Sequence, residues 1–283
     1  MGVSLKKQLA PYIKKVKPIV REIRRGFEDR NLGMLAASIA YGGTLAFFPL
    51  VVASVAIASS IIKPEQLREV VYGLEYYLPK DISSLVTTQI TNAMEQGASN
   101  IWIAAIAIGI AVFGVSGAMH SIISAVNIAY GIKDSRGLVK VRLLSIAFSF
   151  VMIIGMLTVL MLVMVGDDML IRWNFPAATV TAFSFLRWVL LALIAAVGVG
   201  IFYRYAPDRK RGEWKWISWG SAVATSFWLL GTVLFFVYIQ YFARLSDSYS
   251  LFAGIIALML WLNFSGLALL VGAQVDKALE KSR

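Results

Sequence analysis

The fold class of this 283-residue chain is decided by the stretch AASIAYGGTLAFFPLVVASVAIAS, which runs from Ala36 to Ser59. It is a continuous run of apolar and small residues without a charge. A helix needs about 20 mostly apolar residues to cross the hydrocarbon core of a bilayer. Gly42 and Gly43 loosen the backbone, and Pro49 lacks the amide donor for the bond to the preceding turn. The stretch therefore predicts a kinked transmembrane helix.

The kink also predicts where this helix lies. Irregular backbone at membrane depth is tolerated only where it contacts protein or lines a water-filled cavity. We therefore expect the helix to lie inside a bundle, with Tyr41 and Thr44 pointing toward a shared interior. Tyr41, Thr44 and Pro49 are accordingly candidate residues of a substrate pathway, and the sequence leaves open whether the interior is a conduit or a packed core.

Composition extends the membrane interpretation to the whole chain. Hydrophobic residues make up 59% and charged residues 15%, whereas charged residues make up about 25% of ordinary soluble domains. Mean hydropathy is +0.73. The chain has no Cys and one His, which excludes disulfides and thiolate ligands and argues against a histidine-rich metal site. We expect neither a metal nor a cofactor.

Six apolar segments are long enough to span a membrane. They are Leu32–Ile62, Ile101–Ile122, Leu143–Val165, Thr181–Tyr203, Ile217–Tyr241 and Ser250–Gly272. The predicted fold class is all-α, a polytopic membrane protein with six transmembrane helices. The predicted organisation is a basic amphipathic arm over residues 1–31, a membrane domain over 32–272 with an outer helical cap at 63–100, and a cytoplasmic tail over 273–283.

Lysine and arginine are distributed asymmetrically between the connections. Nine lie in the N-terminal arm, four between the second and third segments, five between the fourth and fifth, and three in the tail, against five on the opposite side. Because cytoplasmic loops carry the excess of these residues, we expect both termini in the cytoplasm and the chain in the cytoplasmic (inner) membrane. The net charge of +11 then belongs to juxtamembrane segments, which favours anionic lipid head groups over nucleic acid as partners.

The N-terminal arm combines apolar residues at helical spacing with Lys and Arg between them. The apolar positions are Tyr12, Val16, Ile19, Val20, Ile23 and Phe27. Such a helix is suited to lying on an anionic leaflet, and equally to serving as a simple topology anchor. Residues 63–100 are too many for a bare connection, and their apolar spacing predicts two amphipathic helices that cap the outer face.

Arg187 lies inside the fourth predicted span, and two interpretations of it remain open. It is an interfacial arginine whose head group extends to water, or it forms an ion pair with Asp167, Asp168 or Asp247. The ion pair would line an outward-facing vestibule or bind an anionic head group.

Other polar residues in the apolar segments are interpreted as hydrogen-bonding contacts between helices rather than as ligands of a substrate. They are His120, Asn127, Gln240, Asn263 and Gln274. Asn127 lies at the end of the second span, where it can pin the turn into the next connection.

Four blocks of the sequence, in order, resemble the YihY/BrkB family of inner-membrane proteins, formerly labelled ribonuclease BN-like. The blocks are AASIAYGGTLAFFPL, SAVNIAYGIKDSRG, YRYAPDRK and YSLFAGIIALMLWLNFSGLALLVGAQVDKALE. The matching residues are Ala36, Ala37, Tyr41, Phe48, Pro49, Asn127, Gly131, Arg136, Tyr203, Arg204, Pro207, Tyr249, Gly254, Trp261, Gly272 and Ala273. The chain departs from the family at Gly42 and Ala46, where many members have an aromatic residue and a serine. The resemblance covers about residues 26–280 and implies six spans with cytoplasmic termini, but no catalytic residues.

These features bear on three functions from different classes. The first is movement of a lipid or other amphiphile without an ATPase of its own, since no Gly-x-x-x-x-Gly-Lys-Ser/Thr phosphate loop is present. The second is a non-transporting scaffold or envelope-homeostasis protein, acting as a homo-oligomer or with an envelope partner protein. The third, a ribonuclease, is disfavoured because metal-dependent phosphodiester cleavage needs several carboxylates or histidines, and the acidic pair Asp167–Asp168 is placed on the outer side. We therefore expect a membrane protein that is not an enzyme and whose partners include membrane lipids.

Overall fold

The computed structural model describes residues 17–61, 101–164, 175–209, 217–242 and 250–280, together with Thr88, Thr91 and Leu170. At some helical positions, Pro49 and Gln240 among them, only the backbone is described. The two helices predicted for the outer cap, and the side chains of Asp167, Asp168 and Asp247, lie outside the described residues.

All regular structure in the described ranges is helical. The helices are α1 (residues 17–30), α2 (Leu32–Ile61), α3 (Ile101–Tyr130), α4 (Leu138–Met164), α5 (Ala177–Tyr205), α6 (Trp219–Phe242) and α7 (Ser250–Glu280). Within those ranges, α3 to α7 each contain a segment long and apolar enough to cross a membrane, and α2 contains a shorter apolar segment, Leu32–Phe47. The predicted class, an all-α polytopic membrane protein, is confirmed.

Several helices extend beyond the apolar segments that predicted them. Helix α3 continues to Tyr130, α4 begins at Leu138, and α7 continues to Glu280. The last turns of α3 and α7 are buried, as Ala129 and Ala273 illustrate, whereas Leu138 and Val139 at the start of α4 are exposed. Tertiary packing stabilises helix beyond the apolar run, because propensity and hydropathy alone set helix ends poorly.

Helices α1 and α2 are separated by one residue, Asn31, whose φ of 51° is left-handed. Asparagine adopts this conformation more readily than most residues. The Asn31 carbonyl accepts from the amide of Leu35 at 3.1 Å, which is the first bond of α2. The break turns α1 away from the axis of α2 at the point where the charged arm meets the apolar segment.

Helices α2, α3 and α7 form the centre of the bundle. Helix α2 contacts α3, α7 and α4, helix α7 also contacts α6 and α3, and α5 contacts α6. The buried core collects residues from most of these helices, including Leu32, Ile123, Val126, Phe202 and Leu270. By contrast, α5 and α6 expose many large apolar side chains, as expected of helix faces that meet lipid.

The glycines of α2 serve close packing. A methyl group on Gly42 would lie 3.6 Å from the Cα of Ala118 in α3, and one on Gly43 would lie 3.3 Å from a methyl of Leu262 in α7. Small residues let backbones approach where lipid provides no hydrophobic driving force. The helix runs without a break through Gly42, Gly43 and Pro49.

The predicted orientation of Tyr41 is wrong. Its side chain is 62% exposed, whereas Ala36, Ile39 and Ala40 are buried. At 3.6 residues per turn, Tyr41 falls on the face opposite these small and apolar residues. The hydroxyl of Thr44 donates to the carbonyl of Ala40 in its own helix at 2.8 Å, so it is satisfied locally rather than directed into a shared interior.

Candidate functional site

One end of the bundle gathers most of the described ion pairs. It is formed by α1, the connection 131–137 after α3, residues 206–209 after α5, residues 217–218 before α6, and the last turns of α7. We call it the basic end, because the sequence places most Lys and Arg residues in these segments. Its polar side chains form four connected groups.

The first group holds α1 to the bundle. The carboxylate of Glu22, a residue only 5% exposed, lies 3.1 Å from the guanidinium of Arg30 and 3.1 Å from the ammonium of Lys277 in α7. The same helix also carries an exposed pair, Arg24–Glu28, at 2.7 Å. The Glu22–Arg30 pair lies within α1, whereas the Glu22–Lys277 pair joins α1 to α7. The contact with Lys277 therefore fixes the position of α1, which the exposed pair within one helix cannot do.

The second group closes the end of α3. Gly131 has a φ of 70°, and the amides of Gly131 and Ile132 bond to the carbonyls of Ile128 and Asn127 at 2.8 and 2.9 Å. This is a Schellman ending, which needs a left-handed residue at that position. The carbonyl of Ala129 accepts from Arg30 and from buried Gln274, at 3.0 and 2.6 Å.

The third group joins the connection after α3 to the connection after α5. Asn127 donates to the carboxylate of Asp134 at 2.9 Å and accepts from the amide of Asp208 at 2.9 Å. Arg136 donates to both oxygens of Asp134, at 2.8 and 2.7 Å, and to the carbonyl of Ala206 at 2.9 Å. Ser135 donates its amide and hydroxyl to Asp208, at 2.8 and 2.6 Å. Asn127 thus pins two connections at once.

Hydrogen bonds shift the acidities of this third group. The bond from Arg136 lowers the pKa of Asp134, and the hydroxyl and amide of Ser135 lower the pKa of Asp208. The pKa of an aspartate in the unfolded chain is about 4. When folding lowers this pKa, the ionised carboxylate stabilises the folded protein at pH values above about 4. The contribution is lost as the pH falls through the folded pKa.

We therefore expect acidification below about pH 4 to weaken the hydrogen bonds of the connection 131–137 progressively while the helices persist. The measurement is hydrogen-exchange protection of these amides, corrected for intrinsic rates, on the protein in detergent. The double variant Asp134→Asn/Asp208→Asn should start with weaker protection and show little further loss on acidification. An equal acid response in the variant would show that these two carboxylates are not responsible.

The fourth group surrounds the start of α6 and the end of α7. The carboxylate of buried Asp276 accepts from the hydroxyl of Ser218 and the amide of Gly220, each at 2.7 Å. Ser218 and Ser221 exchange bonds in a capping box, each 3.0 Å long. A carboxylate at a helix N-terminus stabilises the amides that have no partner within the helix. Asp276 therefore fixes the position of α6 against α7.

Arg209 closes the same region from outside. Its guanidinium carbon lies 4.4 Å from the ring centroid of Tyr130, and its nitrogens bond to the carboxylate of Glu280 and to the carbonyl of Tyr203. The hydroxyl of Tyr203 donates to the carbonyl of Leu269. These ion pairs and hydrogen bonds position the helices, and the described residues of the basic end show no catalytic geometry.

The described residues among those singled out from the sequence do not come together in one site. Asn127 and Gln274 lie in the basic end, His120 is exposed on α3, and Asn263 is half-buried in α7. Arg187 is half-buried in α5, and its guanidinium carbon lies 5.9 Å from the ring centroid of Trp188. The side chain of Gln240 is outside the described residues, as are the three proposed acidic partners of Arg187. Among the residues that are described, no three His, Asp or Glu side chains are placed to hold a metal ion.

Sequence reasoning missed the partners of the basic end. Glu22, Arg30, Asp208 and Asp276 make its contacts between elements, yet the basic residues were interpreted only as orientation signals and as binding sites for anionic lipid. The available signal was weak: an acidic residue, Asp276, set among apolar residues in a helix whose last turn carries a basic residue, Lys277. No pattern in the sequence says which distant residue it meets.

Helix α5 carries the second candidate feature. Residues at intervals of three and four form a stripe along it: Arg187, Leu190, Ile194, Val197, Ile201 and Arg204. Its two arginines are about 25 Å apart at 1.5 Å per residue, close to the thickness of the hydrocarbon core, about 30 Å. Helix α5 begins at Ala177, so Arg187 lies deeper in its helix than the predicted span implied.

Between these arginines the surface of α5 is indented. A groove of about 320 Å³ is lined by Leu193, Ile194, Val197, Gly198 and Ile201. Its lining is almost entirely apolar. The stripe therefore presents charge at both ends and an apolar depression between them.

Comparisons with known proteins agree with this architecture. Residues 23–283 match the family described as "Virulence factor BrkB". A relative from Bacillus subtilis (strain 168), described as "Putative ribonuclease-like protein YfkH", is 27% identical over 255 residues, covering 88% of this chain and 90% of the relative. No solved structure matches the chain. Since the family match covers every long apolar helix from α2 to α7, the chain belongs to the BrkB family and is a membrane protein with several apolar helices.

Proposed function

We propose that this protein moves a lipid or similar amphiphile between the leaflets of the cytoplasmic membrane, without an ATPase of its own and with both termini in the cytoplasm. The observation that carries the proposal is the stripe on α5, where arginines about 25 Å apart flank an apolar groove. Charged side chains inside membrane segments are costly, and they commonly mark substrate pathways. An amphiphile has the matching chemistry, an anionic head and an apolar tail.

The basic end supports the same proposal in a second way. Helix α1 is held by buried Glu22 and exposes Lys17, Val20, Arg21, Arg25 and Phe27. A helix that presents basic and apolar side chains together binds anionic membrane surfaces. In the proposed orientation it would lie at the cytoplasmic leaflet and concentrate anionic lipid next to the bundle.

A scaffold without transport is the second candidate. It is favoured by the extensive pairing at the basic end, where Asp276, Gln274 and Glu22 are all buried and bonded. Such an end is suited to holding helices rather than to opening. The ribonuclease named in the B. subtilis relative is not our proposal, because no constellation for phosphodiester cleavage supports it in the described residues.

The decisive measurement is lipid flux in proteoliposomes. Fluorescent phosphatidylglycerol and phosphatidylcholine would be followed by quenching from outside, with and without an imposed proton gradient. Arg187→Ala should slow the faster lipid about tenfold, since a contact between charged groups contributes about 1.5–3 kcal/mol. Arg187→Lys, which keeps the charge, should retain most of the flux.

This flux assay distinguishes the transporter from the scaffold. Flux no faster than in protein-free vesicles, with a correctly folded protein, would favour the scaffold. Flux that is present but equal in wild type and Arg187→Ala would keep transport and remove Arg187 from it.

A further inference from the structure

Gly198 is one of the residues that line the groove on α5. A methyl group built at Gly198 meets no atom within 4 Å, so the space beside it is open. Leu193, Ile194 and Ile201 beside it form the walls, and the lined length from residue 193 to residue 201 is about 12 Å along the helix. These dimensions suit a flexible apolar chain lying along the helix.

A charged group follows the groove at one end. Arg204 lies three residues beyond Ile201, about 4.5 Å further along the axis. Helical side chains lean toward the helix N-terminus, so the Arg204 side chain starts out over the turn that carries Ile201. Arg204 is half-buried, its guanidinium carbon lies 5.7 Å from the ring centroid of Tyr205, and it stands next to the basic end.

We propose that this groove binds a glycerophospholipid with an anionic head group, with one acyl chain along Leu193, Gly198 and Ile201 and the phosphate at Arg204. Charge complementarity selects this occupant: the groove is apolar, and the group at its end is a guanidinium, which pairs with phosphate through directed hydrogen bonds. The binding site rests on the proposed function for its role in translocation, but binding itself is measured separately.

A second copy of the chain is the other occupant that such a groove could take. A partner helix would bury the same apolar residues, but it would gain nothing specific from Arg204. The two occupants differ in a measurable way, because a lipid changes the mass of a single protein and a second copy doubles it.

The test uses the full chain in mild detergent, equilibrated with equal amounts of phosphatidylglycerol and phosphatidylcholine of the same acyl chains, and native mass spectrometry. The wild type should retain one phosphatidylglycerol in preference to phosphatidylcholine. Gly198→Leu fills the groove and should weaken retention of both lipids by about tenfold or more, since the apolar contacts of the chain are lost.

Gly155→Leu is the matched control, because Gly155 lies in α4 and a methyl group there also meets no atom within 4 Å. It introduces the same side chain in a helix elsewhere and should leave retention unchanged. Equal retention in Gly198→Leu and wild type would overturn the site. A change from dimer to monomer in Gly198→Leu, without a change in bound lipid, would assign the groove to a second copy and also overturn it.

Arg204→Gln tests the head-group contact. It should remove the preference for phosphatidylglycerol while leaving retention of phosphatidylcholine in place, and Arg204→Lys should keep part of the preference. A preference that survives Arg204→Gln would overturn the assignment of the phosphate. Selective retention without flux would leave the site standing and remove the transport function. Flux that survives the loss of retention in Gly198→Leu would keep transport and exclude the groove from its pathway.

Discussion

Glu22→Ala is expected to destabilise the protein by about 3–5 kcal/mol, the cost of breaking a buried ion pair by removing one partner. The carboxylate lies 3.1 Å from Arg30 and 3.1 Å from Lys277. Without the carboxylate, two cations would lie close together with no negative charge between them. Both border Gly131: a methyl group built there would lie 2.9 Å from the Lys277 ammonium and 3.5 Å from the Arg30 guanidinium. We expect α1 to leave the bundle.

The measurement combines thermal unfolding in detergent with hydrogen exchange over residues 17–30. Glu28→Ala provides the control, because Glu28 belongs to an exposed pair on the same helix, and such pairs contribute only about 0.3–0.5 kcal/mol. Glu22→Gln keeps the shape and removes the charge, and it should fall between the two. If Glu22→Ala and Glu28→Ala were equally mild, the buried pairs would not be what holds α1.

The helices were predictable from the sequence because their signal is local. A continuous apolar run such as Leu143–Val165 predicts a spanning helix whatever surrounds it. The ends of the helices were less predictable, since the last turns of α3 and α7 are stabilised by each other. Gln274 and Ala129 meet through a 2.6 Å bond, although they lie far apart in the chain.

The face of α2 was predicted wrongly for a physical reason. Tyr41 was expected to face the interior because irregular backbone at membrane depth needs protein or a cavity beside it, but the contact face is set by the small residues Ala36, Ala40 and Gly43, which permit close approach. The residues of the candidate site were likewise predictable only where the signal is local. Asn127 was predictable from its place at a helix end, whereas the convergence of Asp134 and Asp208 on it depends on how the connections after α3 and α5 meet.

Gly272→Ala is the other substitution with a large expected effect. A methyl group there would lie 2.6 Å from the carbonyl oxygen of Gly220 and 2.6 Å from the Cβ of Ala224, both in α6, and 2.6 Å from the hydroxyl of Tyr203. Overpacking typically costs about 1–3 kcal/mol, and more when the backbone must shift. The carbonyl of Gly220 can move only if α6 moves.

Moving α6 would also strain the hydrogen bonds that cap its N-terminus. The carboxylate of Asp276 holds Ser218 and Gly220 at 2.7 Å, and hydrogen bonds to charged groups contribute about 1.5–3 kcal/mol each. The gain from replacing a helical glycine by alanine is about 1 kcal/mol. The expected net effect is therefore a loss of about 3 kcal/mol or more.

Thermal unfolding in detergent would measure this loss, with Gly155→Ala and Gly198→Ala as controls, since neither new methyl group meets an atom within 4 Å. Those two should be neutral or slightly stabilising. Adding Ala224→Gly to Gly272→Ala should recover only part of the stability, because the Gly220 carbonyl remains in the way. If Gly272→Ala were as mild as the controls, or if Ala224→Gly restored it completely, the backbones of α6 and α7 would be further apart than the structure has them.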